Sequence, residues 1–223
     1  MGSDLISLPP EAANELIEAV LAFRSGYEQY DKPDDVKALL ELFPRVSLRQ
    51  GYILDYVQEK TPDGVILPIH PFARPRDDES WTPMVDQEDG LERADLVDEL
   101  YQYLEFEPSP DGLFEYSLFV IELRSMRASS HIAEWLDSTP IFTEERFDEF
   151  LEKASKVSDV KRPENFGPWA RRDEDGGGRA RFLVHTPFGW ERIYYLENKV
   201  YGDGFVEQEA GDIVADMGSG LIF

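Results

Sequence analysis

Arg181–Leu196 reads RFLVHTPFGWERIYYL, and the fold turns on how it is read. Two runs rich in aromatic and β-branched residues flank Thr186-Pro187-Phe188-Gly189. Pro at the second position of a four-residue turn and Gly at the fourth suit a type I β-turn, with the Thr hydroxyl placed to bond the turn backbone. The stretch therefore predicts a β-hairpin. The same [ST]-P-x-G form recurs at Thr61–Gly64, between YILDYVQEK and VILPIHPF. It occurs again at Ser109–Gly112, between YQYLEFEP and LFEYSLFVIEL. Three hairpins are expected, and their unequal spacing argues against a repeat array. On this reading Leu113–Leu123 is a core strand rather than a ligand surface.

Working outward, Pro68 and Pro71 place the first hairpin at a sheet edge, because proline donates nothing to a strand ladder. Asn198, between two aromatic and β-branched runs, predicts a further tight turn, and Asp212–Met217 a last short strand. The N-terminal SLPPEAANELIEAVLAFRSGYEQY predicts an amphipathic helix. In it Leu16, Ile17, Val20, Leu21 and Tyr27 share one face and Pro10 sits in the first turn. Asp34 is placed as the N-cap of a second helix, with Val36, Leu39, Leu40 and Phe43 inward and Pro44 closing it. Helices are also expected at GLERADLVDEL, SSHIAEWL and TEERFDEFLEKAS, the last with Thr143 as N-cap. The expectation is one α+β domain spanning 1–223, with antiparallel hairpins or a meander and helices packed on one face. The Pro- and acid-rich loop at 73–90 is its weak boundary.

Composition narrows the function. No window approaches 18 uncharged apolar residues, so no transmembrane helix is expected. The first residues lack the basic and apolar regions of a signal peptide. Zero cysteines exclude disulfides, thiolate nucleophiles and Cys-ligated metals, and a reducing cytoplasm is the simplest compartment. A net charge of −24 repels nucleic acid and anionic lipid, and attracts basic proteins. The charge is uneven. Asp77–Glu107 holds twelve acids against one base, whereas Lys153–Arg181 holds eight bases against five acids.

Chemistry-bearing motifs are few. The run RRDEDGGGRAR (Arg171–Arg181) raises the question of a phosphate cradle, but a strand-like run comes after it instead of a helix. It reads as a loop, with Arg171, Arg172, Arg179 and Arg181 as a weaker candidate grip on a carboxylate or phosphate. His131 and Glu134 have i, i+3 metal-ligand spacing but no second ligand pair, so no metal is expected. His70 and His185 lie in hairpin arms and offer the one route to a general base. No serine-nucleophile elbow, calcium loop or cofactor motif is present. Trp81 and Trp169 each fall in a charged, Pro-containing loop, where an exposed aromatic would anchor an interface; the alternative is that each folds back on the core.

The leading expectation is a non-catalytic acidic protein that engages a basic protein partner, of the inhibitor, immunity or regulatory type. It would use Asp77, Asp78, Glu79, Trp81, Asp95, Asp98 and Glu99, with no cofactor, nucleic acid or membrane. One alternative is an enzyme with a pocket near His70 and His185. The other is acidity as an adaptation to high salt.

Overall fold

The computed structural model of the chain describes residues 6–25, 34–57, 70–78, 100–125, 138–187 and 189–219. In chain order the elements begin with β1 (Ile6–Ser7), α1 (Pro10–Ser25), α2 (Asp34–Glu41), β2 (Val46–Leu48), β3 (Tyr52–Val57) and β4 (His70–Pro75). Next come a 3-10 turn (Tyr101–Tyr103), β5 (Leu104–Phe106) and α3 (Pro110–Ser125). The rest is β6 (Thr139–Ile141), α4 (Glu144–Lys153), β7 (Trp169–Arg172), β8 (Gly178–Thr186), β9 (Trp190–Val200) and β10 (Val206–Ser219).

The opening stretch is a hairpin at the centre of the main sheet. β8 and β9 pair from Thr186↔Arg192 to Gly178↔Val200. Gly189, at φ +61°, takes the left-handed conformation in the connection, where a side chain would be strained. The sheet runs β1-β7-β8-β9-β10, all antiparallel, and β6 pairs with the second half of β8. Two smaller antiparallel pairs, β2–β5 and β3–β4, complete the strands. The arms of the first expected hairpin do pair, from Val57↔His70 to Tyr52↔Pro75, while its Thr61–Gly64 turn lies outside the described residues. The fold is α+β.

Three readings are corrected. Ser109-Pro110-Asp111-Gly112 opens α3 and not a hairpin. The Ser109 hydroxyl accepts from Gly112 N at 3.0 Å, a side-chain N-cap, and Pro110 occupies the first helical position. Leu113–Leu123 is therefore a helix, buried along its whole length, so the apolar run carries no polar face. Asn198 is not a turn residue either. It is fully buried within β9 opposite Gln208, and its amide donates to Ser117 Oγ at 3.4 Å. The turn comes later, where Gly204 N donates to Tyr201 O. Asp212–Met217 belongs to the fourteen-residue β10 rather than to a separate short strand.

Strand alternation divides the core. Phe182 and Val184 of β8 face the larger cluster, which holds Ile17 and Val20 of α1, Val36 and Leu39 of α2, and the apolar residues of α3. Leu183 faces the opposite side, where Phe147 of α4 packs with Ile193, Val214, Ala215 and Met217. Thus α1–α3 share the expected single helical face, and α4 covers the other. Thr143 caps α4 as expected, its hydroxyl accepting from Arg146 N at 3.2 Å. Two buried carboxylates of α3 are neutralised by arginines from distant elements. Arg24 donates to Glu122 through Nε at 3.1 Å and Nη2 at 2.5 Å, and Arg45 binds Glu115. No helix among the described residues is long and apolar enough to cross a membrane.

Candidate functional site

β10 is the last strand of the main sheet, and its outer edge carries exposed acids. Residues 207–213 are exposed, and among them are Glu207, Glu209 and Asp212. Phe205 and Ile213, two of the exposed large apolar side chains, bracket this stretch. Glu207 lies opposite Lys199 of β9, and Tyr201 joins the two: Lys199 Nζ donates to its hydroxyl at 2.8 Å, which donates to Glu207 Oε2 at 2.5 Å. Glu209 lies opposite Glu197, a like-charge pair that by itself disfavours the ladder. Arg179 engages Glu197 at 2.6 Å, whereas Glu209 has no cation partner among the described residues.

The backbone of this edge is also open. Tyr201 N donates to Phe205 O at 2.8 Å, which fixes the alternation along β10. The main-chain groups of Val206, Gln208 and Ala210 then point away from β9. Consistently, Val206 O accepts from Arg124 Nη1 at 2.5 Å. No described residue bonds those of Gln208 and Ala210.

Further along, the edge is covered by the chain's own basic segment. Ser158 N donates to Asp216 O at 2.8 Å, Asp216 N to Ser158 O at 3.1 Å, and Lys161 N to Val214 O at 2.7 Å. The cover then leaves β10. Arg162 turns to Glu144 and Asp148 of α4, and Pro163 has no N–H to continue the ladder.

The arginine-rich run divides by strand alternation. Arg171, Arg179 and Arg181 share the face that α4 covers farther along, with Arg171 directly opposite Arg179. Each has a nearby acid: Asp173 at 3.4 Å, Glu197 at 2.6 Å and Asp212 at 3.7 Å respectively. Arg172 points to the opposite face and lines an open cleft of about 670 Å³ with Phe106, Tyr116 and Gly176. The three glycines form the β7–β8 turn, closed by Asp173 N to Gly177 O at 2.9 Å. A Cβ on Gly177 would collide with the Val200 carbonyl, so close packing accounts for glycine there. The turn leads into a strand, which removes the helix N-terminus a nucleotide cradle requires.

The two histidines belong to different sheets, His70 to β4 and His185 to β8. His185 is buried, stacked on Phe150 at 4.0 Å, with Nε2 3.0 Å from Glu191 Oε1. Burial lowers its pKa, against the raising effect of Glu191. The neutral ring therefore carries its proton on Nε2 and donates it to the carboxylate. Asp77 is exposed and Asp78 half-buried. Glu79, Trp81, Asp95, Asp98, Glu99, His131 and Glu134 lie outside the described residues, as do the helices expected around them. Trp169 is in β7 and not in a loop. Among the described residues no three His, Asp or Glu side chains converge to hold a metal ion.

Sequence reading missed the β10 edge, since sheet order alone makes β10 terminal. The alternation of Glu207 and Glu209 was the available signal. The chain matches no protein-family model, no curated protein and no solved structure.

Proposed function

We propose that this is a non-catalytic acidic protein that engages a basic protein partner by electrostatics, in the manner of an inhibitor, immunity or regulatory protein. The observation that carries the reading is the β10 edge, where Glu207, Glu209 and Asp212 stand exposed beside main-chain groups that no described residue bonds. The acidic run Asp77–Glu107, with its net −11, adds to the chain's negative charge. Complementary charge of this kind speeds association and discriminates against wrong partners, and a protein of this type would act by occluding a basic surface.

The reading is tested by passing a lysate from the native source over the immobilised protein and eluting with a salt gradient. One basic protein should leave as a sharp peak above physiological salt. Reversing Asp95, Asp98 and Glu99 together should then weaken its affinity by about tenfold and flatten its salt dependence. An affinity unchanged by that triple reversal would remove the acidic run from the proposed surface.

A further inference from the structure

Deepening that reading, and resting on it, we infer that Glu207–Asp212 of β10 receives an extended partner segment as an added antiparallel strand, with Lys or Arg at alternate positions. The first support is the open ladder: Gln208 and Ala210 turn their main-chain groups outward, and no described residue bonds them. An unpaired edge of this kind is what strand addition uses for affinity, while side chains at every second position set specificity.

The second support is that the chain already does this to itself. Its segment from Ser158 to Lys161 lies antiparallel on Val214–Asp216 of the same edge and is flanked by Lys156 and Arg162. The open stretch begins where that cover ends. The third is charge. Residues of an added strand directly opposite Glu207 and Glu209 share their face of the sheet and are two positions apart, so a basic-x-basic spacing matches them. A second copy of this chain is disfavoured as occupant, because edge-to-edge pairing would bring the same acids together. The acids and the bulges between Ala210 and Gly218 also suit an edge built to resist pairing, and the experiment must separate the two.

The probes are short peptides alternating valine and lysine, titrated at low salt into the full-length 15N-labelled protein. In one peptide the valines are N-methylated, and in a second the lysines. The valines would face Gln208 and Ala210 and exchange hydrogen bonds with them, whereas the lysine N–H groups would point away. The unmodified and lysine-methylated peptides should therefore bind alike, shift the Gln208 and Ala210 amide signals and slow their exchange with solvent. Methylating the valines should weaken binding about tenfold or more, since two ladder bonds are lost.

Equal binding of all three peptides would overturn strand addition while leaving the electrostatic reading intact. Failure of every peptide to move the Gln208 and Ala210 signals would overturn the inference as well. The electrostatic reading falls separately, if the native lysate yields no specific basic partner.

Discussion

His185 shows how one residue's setting decides what it does. Its ring is buried against Phe150 and donates to Glu191, and the desolvation that lowers its pKa also keeps it neutral near neutral pH. It lies under α4, and among the described residues it has no second histidine beside it and is not part of the Arg172 cleft. The folded-state pKa lies below the ordinary value of 6.5, so its contribution to stability is fully present above about pH 6.5. That contribution is lost as pH falls through the lowered value. His185→Gln should therefore flatten the fall in unfolding free energy between about pH 7 and pH 5, measured by denaturant titration at each pH. Parallel curves for variant and parent would show that His185 does not titrate on unfolding. The sequence placed His185 on a strand, but its neighbours Phe150 and Glu191 come from α4 and β9, and strand register was needed to see them.

At the scale of elements, the [ST]-P-x-G signature was read correctly once and incorrectly once, for a single physical reason. A type I turn and the first turn of a helix share nearly the same backbone, and Ser or Thr before Pro begins either one. The residues after the glycine decide between them. Beyond Gly189 the chain alternates along β9, whereas beyond Gly112 the apolar run continues without a polar face for longer than most strands. Asn198 misled similarly: asparagine favours turns, yet Leu196, Asn198 and Val200 continue a period of two, and all three are buried. If Ser109 is the cap of α3, Ser109→Ala should lower stability by about 1 kcal/mol. Chemical denaturation measures this. No loss, or a gain, would show that Pro110 and the packing of the helix define its start without the cap.

For the whole molecule, composition made the acidity plain but not its arrangement. The described arginines are largely committed within the fold: Arg24 and Arg45 to buried carboxylates of α3, and Arg171, Arg179 and Arg181 to acids on the sheet face. The basic segment around Lys161 lies on the edge of β10. Local charge is thus consumed internally where bases are available, and Gln208 to Ala210 lie just beyond the Ser158–Lys161 cover, with Glu209 paired to no described cation. This could not be read from the sequence, because β10 becomes an edge only through the order of five strands.

The role of the β10 edge is decided by comparing two immobilised proteins, the native chain and one with Glu207, Glu209 and Asp212 all changed to Lys, under the same lysate and salt gradient. Matched melting temperatures would establish that both are folded. One basic protein should leave the native column above physiological salt and be absent from the variant column, or leave it far earlier. The same peak at the same salt on both columns, or only a smear of basic proteins lost by physiological salt, would contradict that role.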